Sequence, residues 1–73
     1  MLKKIQNVYS EIKDKVAFRA KVEKEFNITQ STCARQWFGG WNIPEKHYER
    51  VYTMVTEELQ QQIDKQKLTL INN

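Results

Sequence analysis

Apolar residues recur along this chain at helical intervals. Ile5, Val8, Tyr9 and Ile12 follow i, i+3, i+4, i+7, the stripe of an amphipathic helix. They predict a first helix from about Leu2 to Lys13, with Lys3, Lys4, Asn7 and Glu11 outward. Asp14 either stops that helix or caps the next. Phe18, Val22 and Phe26 then step by four, within an apolar set that also holds Val16, Ala17 and Ala20. They predict a second helix from about Lys15 to Phe26, with Arg19, Lys21, Glu23, Lys24 and Glu25 mainly toward water. Neither Gly nor Pro marks the join, so one bent helix is the alternative. Asn27 suits a left-handed turn, and Thr29 suits an N-cap. A short third helix from about Thr29 to Phe38 follows. Its inner side takes Cys33, Ala34, Trp37 and Phe38, and its outer side takes Ser31, Thr32, Arg35 and Gln36. Gly39-Gly40 ends it, since glycine adopts positive φ at little cost. After a loop over Trp41-Asn42-Ile43, Pro44 and Glu45 open a last helix, about Glu45 to Gln66. Tyr48, Val51, Tyr52, Val55 and Leu59 form its stripe, and Ile63 continues it. The expected architecture is all-α: one small four-helix domain over residues 1–66 with a frayed tail over 67–73, where Leu68, Leu70 and Ile71 can still pack.

Length and charge narrow the picture. Seventy-three residues make one small domain, which must use every apolar helix face. The net charge is +3, divided as +4 over residues 1–44 and −1 over 45–73. A mildly basic first half suits a polyanionic partner, without demanding one. One cysteine, Cys33, allows no internal disulfide and fits a reducing compartment. No apolar run approaches the roughly 20 residues of a membrane span, and Met-Leu-Lys-Lys leads into no signal-peptide core. The expectation is a cytoplasmic protein.

Catalytic chemistry is not foreseen. There is no clustered carboxylate pair, no phosphate-cradling glycine loop and no His/Cys metal spacing. Gly39-Gly40 follows no strand and acts as a helix stop. Cys33 lacks a second thiol or neighbouring histidine, so it reads as a small buried or half-buried residue. His47 stands alone and reads as a surface residue. No cofactor and no metal are expected.

The outer face of the third helix is short, polar and nearly uncharged, which suits contact with base edges. Its surroundings carry a family resemblance. Asn27-Ile28-Thr29, then Arg35-Gln36-Trp37-Phe38-Gly39-Gly40, then Trp41-Asn42-Ile43-Pro44 and the helix opened by Glu45 resemble the helix-turn-helix of Cro-like phage repressors and related regulators. The resemblance spans Val22 to Val51; the flanking helices match in order only. Glu23 departs from the small or apolar residue common in the helix before the turn, and Trp41-Asn42 replaces a more basic loop. Two registers fit, one residue apart. Anchoring on Asn27-Ile28-Thr29 buries Cys33 and brings Gln36 near an aromatic core position. Anchoring on Trp37-Phe38-Gly39-Gly40 buries Ala34 and Trp37 and lengthens the turn by one. The second is preferred, because a buried Gln36 would need a partner.

The resemblance implies sequence-specific binding of double-stranded DNA, with the third helix in the major groove, by a small repressor-like transcriptional regulator. Residue chemistry then assigns roles. Arg35 can pair with guanine, Gln30 or Gln36 with adenine, and Ser31 and Thr32 with base edges or phosphate. Lys15, Arg19, Thr29, Asn42 and Lys46 are the candidate phosphate contacts. Trp41 either lies against the sugar-phosphate backbone or covers the core. The long stripe of the last helix, through Tyr52, Val55, Leu59 and Ile63, is a candidate face for a homodimer that spaces two third helices about 34 Å apart. The same stripe, with the polar seam Gln60-Gln61-Gln62, supports the rival reading: a protein–protein adaptor that does not read DNA.

Overall fold

A computed structural model describes the backbone of residues 1–72 and the side chains of residues 1–67. Among the described residues the chain is all-α, with four helices and no strand. We number them α1 (Leu2–Ser10), α2 (Lys15–Phe26), α3 (30–37) and α4 (Tyr48–Asn72), the last preceded by a 3₁₀ turn at Glu45–His47. α4 packs along α1 and α2, and α3 packs against α2.

α1 stops three residues before the expected Lys13. Its end is held from elsewhere in the chain. The Lys15 ammonium donates to the carbonyls of Ile12 at 2.6 Å and Ser10 at 3.5 Å. From α4, the Gln62 amide accepts from the Lys13 N–H at 2.8 Å and donates to the Glu11 carbonyl at 3.0 Å. Asp14 serves as the N-cap of α2 and accepts from the Ala17 N–H at 3.1 Å. The join is thus a capped corner and not a bend in one helix. Because one amide satisfies two backbone groups there, Gln62→Ala is expected to lower stability by about 1 kcal/mol. Thermal unfolding should register a fall of roughly 4–8 °C, with the exposed Gln61→Ala as a near-silent control.

The core is one cluster: Ile5, Tyr9 and Ile12; Phe18 and Val22; Cys33, Trp37 and Phe38; Ile43; Val51 and Val55. Tyr9 is its hub. Its ring stacks on Phe38 at 4.7 Å, tilts against Phe18 at 6.0 Å and meets Trp41 edge-on at 5.5 Å. A second aromatic group joins Phe26, Trp37 and His47, with centroids 4.8–5.8 Å apart. His47 is therefore half-buried among rings, which corrects the expected surface position. Val16, Ala17 and Ala20 face outward on α2, Val16 being 66 % exposed.

α4 remains helical through Asn72, past the expected stop at 66. The expected packing of Leu68, Leu70 and Ile71 lies outside the described side chains, and residue 73 lies outside the described backbone. No helix among the described residues is long and apolar enough to cross a membrane.

Candidate nucleic-acid interface

The turn into α3 forms as its residues dictate. Asn27 caps α2 in the left-handed region, at φ 53° and ψ 49°, where a short polar side chain is tolerated. The Thr29 hydroxyl oxygen accepts from the Thr32 N–H at 3.1 Å, the bond of an N-cap. Thr29 also donates to the Thr32 hydroxyl at 2.9 Å.

α3 then departs from regular α geometry. Over Thr32–Trp37 it is a π-helix. The Phe38 N–H reaches back five residues to the Cys33 carbonyl at 3.0 Å, and Gly40 reaches Arg35 at 2.8 Å. The wider turn holds one more residue than an α turn. That extra residue resolves the two registers. Cys33, Trp37 and Phe38 are all buried, at 0, 5 and 6 % exposure, whereas Gln36 is exposed. Ala34, placed in the core by the preferred register, is only half-buried and sits at the edge. Residues five apart align in a π turn, so Cys33 and Phe38 share the inner side. The Cys33 thiol donates to the Arg19 carbonyl of α2 at 3.6 Å.

The glycines work differently from expectation. Neither has a positive φ; Trp41 takes that conformation instead, at φ 59°. This is a strained choice for a bulky residue, offset by its edge-on packing against Tyr9 and Phe38. Trp41 therefore covers the core. Gly39 is required by close approach: a Cβ there would lie 2.7 Å from the carbonyl oxygens of both Ala34 and Arg35.

Clamped between two aromatic clusters, α3 turns a polar face outward. Gln30, Ser31, Arg35 and Gln36 are exposed. Among the described residues, none of these side chains has a hydrogen bond or ion pair within the chain. Gln30, Ser31, Ala34 and Arg35 together line a shallow depression of about 320 Å³. Thr32 is half-buried and turned to Thr29, so it belongs to the cap and not to that depression.

The expected phosphate contacts divide into two groups. Thr29, Asn42 and Lys46 are exposed, and Lys46 has no acidic partner among the described residues. Lys15 and Arg19 are committed within the chain. Lys15 closes the end of α1 and lies 5.5 Å from the centre of the Tyr9 ring. Arg19 donates to the Tyr9 hydroxyl at 2.8 Å. Among the described residues neither is paired with a carboxylate, so both add to the local field while serving as structural ties. The ion pairs Lys21–Glu58 at 2.7 Å and Arg50–Glu25 at 3.2 Å fasten α4 to α2.

The α4 stripe is used internally. Val55 is fully buried, which removes it from the expected partner face, and Tyr52 and Leu59 pack against the core. Ile63 is half-buried. Of the glutamine seam, Gln62 is the residue that braces α1.

Burial, and secondarily the neighbouring Glu23 charge, push the Cys33 thiol from its ordinary 9.0 up to about 11; Arg19 opposes the shift. The folded state thus holds this proton more tightly than the unfolded chain. The resulting contribution to stability is intact below pH 9 and is lost as pH rises through about 11. At pH 8 the native thiol should resist an aromatic disulfide reagent, and it should react promptly once the chain is unfolded.

No group of three or more His, Cys, Asp or Glu among the described residues is placed to hold a metal ion. Comparison with protein families, curated proteins and solved structures found no match to this chain.

Proposed function

We propose that this chain binds double-stranded DNA sequence-specifically, as a small transcriptional regulator that lays α3 in the major groove. One observation carries the reading. The outward face of α3 presents Gln30, Ser31, Arg35 and Gln36 with no partners among the described residues, on a helix whose inner face is locked by two aromatic clusters. Such pre-positioning lowers the ordering cost of binding.

In this reading Arg35 offers its planar fork to O6 and N7 of a guanine. Gln30 offers its amide to an adenine, and Ser31 takes either a base edge or a phosphate. Gln36 extends the same row. Thr29, Asn42 and Lys46 hold phosphates on the two sides of the groove and fix the register. Arg19 and Lys15 supply background positive potential. The rival adaptor reading rested on the α4 stripe, much of which is enclosed between α4 and the rest of the core.

Selection of bound duplexes from a random pool tests the proposal. An enriched sequence motif is the expected outcome, and recovery of no duplex contradicts the proposal. Affinity for the enriched duplex should fall steeply with salt, in proportion to the phosphates neutralised. Lys46→Ala should make that slope shallower by about one while leaving thermal stability unchanged.

A further inference from the structure

Ala34 is the one residue lining the α3 depression that brings no hydrogen-bonding side chain. Gln30, Ser31 and Arg35 make up the rest of the lining. Ala34 is thus an apolar spot in a lining of donors and acceptors, and that chemistry restricts what can enter. A polar base-edge group pressed on the Ala34 methyl would lose water and gain no partner from it. An apolar group would lose nothing. In the major groove, the C5-methyl of thymine is the apolar group that an unmodified base pair presents. Arg35 lines the same depression with its guanidinium unpaired among the described residues, and a guanidinium fork matches guanine O6 and N7. Ala34 and Arg35 line one depression, so the groups they contact lie side by side.

We propose that the depression takes two adjacent base pairs together: a thymine whose C5-methyl seats on Ala34, and the neighbouring guanine held by Arg35. The inference rests on the DNA-binding reading and narrows it to a base-pair step. It assigns a specificity role to Ala34, a position that the periodicity of the sequence places in the core.

The test uses the full chain and the duplex enriched from the random pool. That duplex should contain a thymine beside the guanine whose recognition depends on Arg35. Replacing this thymine by uracil removes the methyl and leaves the hydrogen-bonding edge intact. The wild-type chain should then bind about fourfold more weakly, the factor expected for one buried methyl. An Ala34→Gly chain, with folding verified by thermal unfolding, should bind the two duplexes equally. If that variant does not fold, Ala34→Ser should likewise erase the preference for thymine. An enriched motif without a thymine at that position, or equal wild-type affinity for the thymine and uracil duplexes, overturns the inference and leaves DNA binding standing. Recovery of no duplex overturns both.

Discussion

Arg35→Ala is expected to weaken binding to the enriched duplex by roughly 5- to 150-fold, the factor that follows from about 1–3 kcal/mol for a bidentate contact to a base. Binding to unrelated duplexes should change far less, because the lost contact is to a base edge and not to a phosphate. Two features make this variant informative. The side chain is exposed and has no partner among the described residues, so its removal should leave stability within about 0.5 kcal/mol. Its backbone carbonyl, which accepts from Gly40 in the π turn, survives the substitution. Arg35→Lys separates charge from geometry. It keeps the cation but not the planar fork, so affinity for unrelated duplexes should hold while discrimination is largely lost. Fluorescence anisotropy with matched and scrambled duplexes reads both effects.

Gly39→Ala should produce the largest loss of stability among the outer substitutions. The new Cβ would sit 2.7 Å from two backbone carbonyl oxygens and 3.2 Å from the Arg35 carbonyl carbon. Backbone cannot swing aside as a side chain can, so the end of α3 must be rebuilt. A cost of about 1–3 kcal/mol is expected, at roughly 4–8 °C of melting temperature per kcal/mol. Gly40→Ala is the internal comparison. Its Cβ meets the Asn42 side-chain nitrogen at 3.0 Å, and the nearest backbone oxygens are 3.5 Å away. With no positive φ at either glycine, Gly40→Ala should be close to neutral. Equal melting temperatures for the two variants would contradict the close-approach account. Because the same carbonyls shape the wide turn, Gly39→Ala should also weaken DNA binding more than Gly40→Ala does.

The elements most legible in the sequence are those with strong local signals. Pro44 and the acidic Glu45 mark the start of the last helical segment, although its first turn is 3₁₀. Asp14, Asn27 and Thr29 cap and turn where their side chains dictate. Phe18 and Val22 take the inner face their spacing assigns them. Legibility failed where distant residues decide the outcome. The end of α1 at Ser10 depends on Gln62, some fifty residues away, whose amide replaces the last helical turn. His47 is drawn in by Phe26 and Trp37, which periodicity does not bring together.

The π turn lies between these cases. Two registers one residue apart both had merit, and the chain satisfies parts of each by accommodating the extra residue in a wider turn. Such a conflict between two good anchors is a sequence signal for a bulge, though it does not say where the bulge falls. Ala34 changed places for that reason: a periodicity of 3.6 sends it inward, and the wider turn leaves it at the edge. The outward positions of Ser31 and Arg35 were legible because both registers agree on them, whereas Gln30 and Gln36, on which the registers differ, are exposed and Thr32, outward in both, is half-buried against Thr29.

The most direct test of major-groove reading by α3 is interference by guanine N7 methylation on the enriched duplex, run in parallel with the wild-type chain and Arg35→Ala. N7 lies on the major-groove edge, where the Arg35 fork must approach. Methylation of one guanine should block the wild-type chain and leave the residual binding of Arg35→Ala unchanged. If no guanine methylation interferes, or if the same guanine interferes equally with both chains, α3 does not read the groove through Arg35.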